Sequence, residues 1–264
     1  MVEQINIPEE KNKSEWQPGP VYTDDTIWRY RDFELFERSI EGGYLWFNRA
    51  DNFEDDFEGS LPRENIRTRE ERYSGQFNRD DMDDVLSGMF KNFQKISFVN
   101  CWMRNNTESA AMWKLFTDMN TGVAIKSNPE DVFNSLNFHD GNYEFGAVNY
   151  IDYSEGGDTI PEHSPFAPLF HKHNGFEYED EIRAVWQDWD YVYEPEGEDG
   201  WVDLEIEPDN EGKEISVDFD NLIDEVVISP FARDNQLEMV EELLSDHNID
   251  APIRNSSLAQ DSKF

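Results

Sequence analysis

Acidic side chains are spread along the whole chain, and this excess of one charge most constrains what the chain can fold into. The formal net charge is -37 over 264 residues, with 59 Asp and Glu against 22 Lys and Arg. Such self-repulsion destabilises a compact state at low ionic strength, whereas molar salt screens it within about 3 Å. The pattern therefore predicts a protein of a salt-rich cytoplasm. It also disfavours nucleic acid as a partner, because the net charge repels a phosphate backbone.

The apolar content predicts that the chain can nevertheless bury a core. Aromatic residues make up 14% of the sequence and hydrophobic residues 37%, which a disordered acidic chain would lack. The single cysteine, Cys101, lies in an apolar run, so we expect a small buried side chain in a reducing compartment. No apolar run approaches the ~18 residues that cross a bilayer, and the amino terminus lacks a signal-peptide core. These features predict a cytoplasmic protein with no membrane partner.

Strand patterns outnumber helices of crossover length, which favours an α+β fold with a mixed, mostly antiparallel sheet flanked by helices. After the leader, the pattern predicts a strand, then a helix that Asp32 caps, then a second strand. A helical insert is expected over about 63–94, and an amphipathic helix over 108–119 with Met112, Trp113 and Phe116 in the core. Near the end, strands at 201–207 and 214–219 are expected to pair across a turn. We expect a flexible leader over 1–20, one domain over 21–258 and a tail over 259–264.

The segment FHKHNGFEYEDEIRAVW, residues 170–186, groups cations and acids beside a short apolar strand. In an extended conformation Glu179, Glu181 and Arg183 fall on one side. Two neighbouring carboxylates disfavour their joint ionisation, and an Arg two positions on offsets that repulsion while it holds them in place. This arrangement is typical of a site. A solvated edge strand in a very acidic protein is the alternative.

A second candidate is the run Trp28-Arg29-Tyr30-Arg31, which as a strand places two Arg on one face and two aromatic rings on the other. A guanidinium is planar, always charged and bidentate, so it can clamp a phosphate or stack on a base. Ion pairs with the many surface acids are the alternative.

Metal binding is not favoured by the spacing of potential ligands. His171 and His173 share a side if the chain is extended, and either Glu177 or Glu179 could join them, yet no known metal-ligand spacing is present. The acids of the loop over 49–62 lack the spacing of a calcium site, so we expect that loop to be solvated. We therefore predict no metal site. Glycine-rich nucleotide motifs are also absent from the sequence.

Several pieces taken in order resemble the widespread prokaryotic domain-of-unknown-function family 2971. They are WRYR, GYLWFNRADNFEDDFEG, MWKLFTDMNTGVAIKS, VNYIDY, FHKHNGFEYEDEIRAV and IDEVVISP, and they cover about residues 26–258. Two departures stand out. Glu54-Asp55-Asp56-Phe57 replaces the family's Asn-Asp-Pro-Phe, and Phe116 stands where the family usually has Tyr.

A looser similarity links the same layout to NAD-dependent ADP-ribosyltransferases. The resemblance implies NAD as the cofactor, held at its pyrophosphate or ribose by Arg29, with Arg31 beside it. Tyr44 or Trp46 would stack on nicotinamide. Catalysis would then fall to the late acids.

In this resemblance Glu181 would stabilise the oxocarbenium-like ribose and Glu179 would assist the acceptor. Lys172 and Arg183 would tune these acids or meet a phosphate. The alternative is a non-catalytic sensor of a small nucleotide-like ligand, or an interaction module, in a stress or phage-defence setting.

Overall fold

A nine-stranded sheet forms the centre of the molecule. The computed structural model describes residues 4, 16–55, 57–73, 82–136, 142–191 and 208–259. Over these ranges it confirms the α+β class and the mixed, mostly antiparallel sheet. The strands are Ile27–Asp32 (β1), Tyr44–Arg49 (β2), Ser97–Arg104 (β3), Gly122–Ser127 (β4), Tyr143–Ala147 (β5), Asn149–Ile151 (β6), His171–His173 (β7), Glu181–Gln187 (β8), Gly212–Ser216 (β9), Glu225–Ile228 (β10) and Ile253–Asn255 (β11).

Helices cover the sheet, and most begin or end where the sequence predicts. They are Phe33–Gly42 (α1), Arg63–Arg72 (α2), Met82–Ile96 (α3), Ala110–Phe116 (α4), Pro129–Ser135 (α5), Phe219–Leu222 (α6) and Gln236–Asp246 (α7). The predicted helical insert thus contains α2 and α3, while the predicted strand at 201–207 lies outside the described residues. No helix within the described ranges is long and apolar enough to cross a membrane.

Helix α1 ends as predicted but begins differently. Gly43 adopts a left-handed conformation at φ 67°, and its N–H donates to the carbonyls of Ile40 and Ser39. The prediction that Asp32 caps this helix is wrong, because its side chain makes no cap hydrogen bond. The Asp32 carboxylate instead accepts from the backbone N–H of Asp118, which ties α1 to the loop before β4.

The main core lies between one face of the sheet and the four helices α1, α5, α6 and α7. Phe36 of α1, Val132 of α5 and Val240 of α7 are buried against strand residues such as Ile125 and Ile182. The opposite face carries a separate cluster that includes Trp28, Tyr30, Met112 and Trp113. Side chains on the two faces of β1 therefore pack into different clusters, because successive residues of a strand point to opposite faces.

Strand β3 is the point at which the sheet forks. One edge of β3 pairs with β8 from Ser97 to Met103. On the other edge, β2 pairs with Phe98 and Val99, whereas β1 pairs only with Met103 and Arg104. Between these two contacts β1 and β2 diverge, so the backbone of residues 100–102 is open on that edge. A forked sheet of this kind leaves a cleft between its two arms.

The segment before β1 is attached to the sheet. Gly19 and Ala147 exchange two backbone hydrogen bonds, of 3.0 and 2.9 Å. Val21 is buried in the main core. Residues 16–20 therefore pack on the domain, although the sequence places them in the leader.

Glu108 fastens the carboxyl-terminal strand β11 to the start of α4. Its carboxylate accepts from the Trp113 indole at 3.1 Å and from the backbone N–H of Ser257 at 2.7 Å. Ser256 and Arg254 also donate to it. Burial opposes ionisation of this carboxyl, yet the hydrogen bonds from Ser256, Ser257 and Trp113 lower its pKa to about 2.

We expect the Glu108→Gln variant to lose about 2 kcal/mol of unfolding free energy, because hydrogen bonds to a charged acceptor are replaced by weaker ones. Urea denaturation in molar KCl measures this loss, with Glu241→Gln on the exposed face of α7 as the control. The native pKa is depressed, so the wild-type advantage should persist from pH 7 to about 4.5 and vanish as the pH falls to about 2. An equal loss in both variants would contradict this role for Glu108.

Candidate functional site

The fork in the sheet opens into a cleft of about 710 Å³. This volume lies in the range of about 300–1,000 Å³ that is usual for small-molecule sites. Seven of the eight residues that the sequence predicts for the site line it: Arg29, Arg31, Tyr44, Trp46, Lys172, Glu179 and Glu181. Arg183 is the exception, because it lies outside the cleft lining, behind Glu181. Residues distant in sequence thus meet at one place.

Arg29 sits in the fork itself. Its guanidinium donates to the carbonyl of Cys101 on β3 at 3.0 Å and to the carbonyl of Trp46 on β2 at 3.2 Å. These bonds bridge the two strands where backbone pairing fails, and the group also lies 5.8 Å from the Trp102 ring centroid. Arg29 is therefore part of the framework that holds the cleft open.

Neither guanidinium of β1 forms an ion pair with an acid. No carboxylate among the described residues lies within ion-pair distance of Arg29 or Arg31, and the Arg31 guanidinium makes no hydrogen bond to the described side chains or backbone. Burial lowers the pKa of Arg29, and repulsion from Arg31 adds to this effect. Burial likewise lowers the pKa of Arg31, against the attraction of the adjacent Asp32. Two cations without an ion-pair partner in a chain of net charge -37 create a place that an anion would stabilise.

Aromatic side chains form the wall of the cleft opposite β1. Tyr44 and Trp46 project from β2 on the same face, and Trp46 lies over β9. Gly212 of β9 makes room for the indole, because a Cβ there would come within 2.3 Å of the Trp46 ring. The phenyl ring of Phe116 stands at the rim and is 51% exposed, so the prediction that it is a core residue is wrong.

On the third side of the cleft, a chain of ionic hydrogen bonds holds Glu181. Its Oε1 accepts from Lys172 Nζ at 2.9 Å and its Oε2 accepts from Arg183 Nε at 2.5 Å. The Tyr150 hydroxyl accepts from the Glu181 backbone N–H at 2.8 Å. Burial would raise the pKa of Glu181, but the charges of Arg183 and Lys172 outweigh it and lower this pKa. Glu181 is therefore a carboxylate, fixed in orientation and 8% exposed at the cleft.

Glu179 reaches the same place by a different local structure from the one predicted. The sequence predicts an extended segment, whereas Asn174–Glu179 forms a 3-10 helix and Asp180 adopts a left-handed backbone with φ 39°. Arg104 holds this bend with hydrogen bonds of 3.1 and 2.9 Å to the Asp180 carboxylate. The bend returns Glu179 toward Lys172 Nζ, which donates to its Oε2 at 2.5 Å. The two acids are thus brought together, but not by strand alternation.

The environment of Glu179 favours its neutral form. Burial raises its pKa to about 7, and the hydrogen bond and negative charge of Glu181 add to that rise. Lys172 acts in the opposite direction, and its own pKa is raised by Glu181 against the cost of burial. One carboxyl of the pair therefore carries a proton near neutral pH while the other stays ionised.

Arg183 is fully buried behind these acids. It donates through both terminal nitrogens to the Glu58 carboxylate and through Nη1 to the Leu169 carbonyl at 2.6 Å. Its guanidinium lies outside the cleft lining and is 0% exposed, so these contacts give it no direct route to a phosphate in the cleft. Its hydrogen bond to Glu181 is of the kind that the predicted tuning role requires.

The acidic loop before α2 supplies a residue that sequence reasoning missed. We expect the acids of this loop to be solvated, yet Glu58 is 3% exposed and pairs with Arg183. The available signal was Arg183 itself, because a cation in the apolar strand IRAVW requires a buried counter-charge. The sequence could not say which of the 59 acids supplies it.

The remaining candidate side chains supply no reactive group to the cleft. Cys101 lines the cleft and is half-buried, whereas the sequence predicts a buried side chain. Burial raises the pKa of Cys101 to about 12, and the charge of Glu181 raises it further, so its thiol stays neutral. His171 bonds to the Ala167 carbonyl and His173 accepts from the Gly175 N–H. Among the described residues, no cluster of His, Cys, Asp and Glu could hold a metal ion.

A comparison with protein-family models found a match to the central segment of the chain. The family model described as protein of unknown function (DUF2971) matches residues 112–184, which run from α4 into β8. The match confirms the resemblance predicted from the motifs, and it includes Lys172, Glu179, Glu181 and Arg183. No curated protein matches the chain significantly in sequence.

One solved structure is similar to the chain at a low level. It is that of DarT from Thermus sp. 2.9 in complex with carba-NAD+. The two chains share 10% sequence identity, with 88% of this chain and 95% of the DarT chain covered, at a TM-score of 0.34. A similarity of this size is too distant to establish a common fold.

We expect Glu58→Gln to destabilise the protein by about 3 kcal/mol, because it removes one of the two carboxylates that compensate the buried Arg183. Thermal unfolding in molar KCl measures this as a fall in Tm of several degrees. Glu54→Gln, an exposed acid of the same loop, is the matched control and should leave Tm within one degree or so. Equal Tm values for the two variants would show that Glu58 does not stabilise the fold.

Proposed function

We propose that the protein binds NAD+ in the cleft of the forked sheet and transfers its ADP-ribose group to an acceptor. The observation that carries this proposal is a buried, ionised Glu181 that faces the same cleft as two arginines without an ion-pair partner among the described residues. Groups that can bind an anion and a group that can stabilise a cation are thus held in one cleft. A dinucleotide with a reactive glycosidic bond offers a pyrophosphate anion to the first and a developing sugar cation to the second.

The arginine side of the cleft suits the pyrophosphate. Arg31 has free donors and is half-buried, so it gains a counter-ion without losing an existing bond. Arg29 contributes charge from the fork, where its position is fixed by two carbonyls. Trp46 and Tyr44 offer flat apolar surfaces on which the nicotinamide ring can stack.

The acidic side of the cleft suits the ribose. When nicotinamide leaves, the bond between C1′ and the ring nitrogen breaks, its electron pair stays with nicotinamide, and positive charge develops on the sugar. A carboxylate held ionised and oriented before the reaction stabilises that charge without reorganisation. Glu181 bonds once through each oxygen to Lys172 and Arg183, and a carboxylate can accept about four hydrogen bonds. The ionised form of Glu179 can then accept the proton of the attacking acceptor.

The test of this proposal is nicotinamide release from NAD+ in molar KCl. We expect the isosteric Glu181→Gln variant to lower the rate at least about 100-fold, because it removes the charge that stabilises the transition state. Glu130→Gln, on the exposed side of α5, is the control and should keep the wild-type rate. ADP-ribose binding to both variants shows whether the cleft remains folded.

Two results would contradict the proposal. One is an unchanged rate in Glu181→Gln with the cleft intact. The other is NAD+ binding by the wild-type protein, seen as a rise in Tm, with no nicotinamide released after prolonged incubation. That second result would make the protein a nucleotide sensor, which is the alternative that the sequence leaves open.

Arg31 provides an independent test of ligand position. We expect Arg31→Met to raise the Kd for ADP-ribose about tenfold or more, because a charge-assisted hydrogen bond to phosphate is lost. Arg233→Met, at an exposed turn, is the matched control. Isothermal titration calorimetry measures both. Equal affinities would show that the pyrophosphate does not lie against β1.

A further inference from the structure

The acidic network at the cleft contains more negative than positive groups. Three carboxylates, those of Glu58, Glu179 and Glu181, share two cations, Lys172 and Arg183, as their ion-pair partners among the described residues. All five are at most 8% exposed, so solvent does little to disperse the difference. If every acid were ionised, the network would carry one uncompensated negative charge. A bound proton or a bound cation can neutralise it.

The β1 side of the same cleft has the opposite imbalance. Arg29 and Arg31 carry two positive charges, and neither forms an ion pair with a described carboxylate, although the adjacent Asp32 attracts Arg31 and Glu211 and Glu214 also line the cleft. Positive charge is therefore in local excess at β1, and negative charge is in local excess in the network around Glu181. NAD+ has the complementary pattern, with two negative charges on the pyrophosphate and one positive charge on the nicotinamide ring.

We propose that binding of the nicotinamide cation expels the proton shared by Glu179 and Glu181, so that the cleft prefers the oxidised pyridinium dinucleotide and binds it with release of a proton. This inference rests on the proposed function and adds to it the charge state that the site selects. The proton passes to solvent as the ligand enters, and the positive charge of the ring takes its place. Reduced NADH and ADP-ribose carry no such ring charge and leave the proton where it is.

The groups around Glu179 are consistent with the exchange of its proton for the positive charge of the nicotinamide ring. Lys172 of β7 donates to its Oε2, and Glu181 of β8 shares its proton. Burial raises the pKa of the Tyr178 phenol, and the charge and hydrogen bond of Glu179 raise it further, so this phenol stays neutral. Burial raises the pKa of Tyr150 on β6 as well. Of these described neighbours, Glu179 alone has a pKa near 7, so it is the group that can change charge at physiological pH.

The experiment is calorimetric titration of the wild-type protein in molar KCl with carba-NAD+, NADH and ADP-ribose. Titrations in buffers of different ionisation enthalpy give the number of protons released. For carba-NAD+ we expect release of about half a proton at pH 7 and a Kd that rises about tenfold between pH 8.5 and pH 6. NADH and ADP-ribose should bind with no release and with a nearly constant Kd.

The variant pair assigns the proton. Glu179→Gln should abolish proton release with carba-NAD+ and remove the pH dependence of its Kd. Glu177→Gln changes an exposed acid of the same 3-10 helix outside the network and should keep both. Release that survives in Glu179→Gln, or that disappears in Glu177→Gln, would overturn the assignment.

The failure of this inference can be distinguished from failure of the proposed function. If all three ligands bind with the same dependence on pH, the proton exchange is wrong, while nicotinamide release can still proceed. If none of the three binds, both the exchange and the proposed function are overturned.

Discussion

The buried pairing of Arg183 with Glu58 and Glu181 is the interaction on which the site depends. Arg183 joins the loop before α2 to the strand that carries Glu181, and it reaches the Leu169 carbonyl as well. A fully buried guanidinium is costly to desolvate, and here its carboxylate and carbonyl partners offset that cost. The same contacts fix the orientation and the charge of Glu181. The same ion pairs therefore stabilise the fold and set the charge of the proposed catalytic carboxylate.

The fork in the sheet is the second requirement, because it converts a continuous sheet into a cleft. Strand β3 pairs fully with β8 but only partly with β1 and β2. Arg29 fills the gap by donating to carbonyls of both neighbouring strands. A cation is thereby placed beside an apolar core, and a ligand anion would lower the cost of that placement. The framework and the proposed binding of pyrophosphate are thus linked.

Most helices and strands could be predicted from the sequence, because they depend on the spacing of apolar residues and on turn residues that are close together in the chain. Strands β1 to β4 and helices α1, α4 and α7 appear close to their expected positions. The site was harder to predict. The alternation rule placed Glu179 beside Glu181, but the actual cause is the left-handed Asp180 held by Arg104, a contact between residues 76 positions apart. The partnership of Glu58 with Arg183 spans 125 positions, and no short-range pattern encodes it.

The central claim is that the arginines of β1 and the acids of β8 hold opposite ends of one NAD+ molecule. A crystal structure of the protein with a non-hydrolysable NAD+ analogue in molar salt tests it most directly. The account predicts pyrophosphate oxygens within hydrogen-bond distance of Arg31 and the glycosidic carbon beside the Glu181 carboxylate. An analogue bound outside the fork, or one whose pyrophosphate lies away from β1, would contradict it.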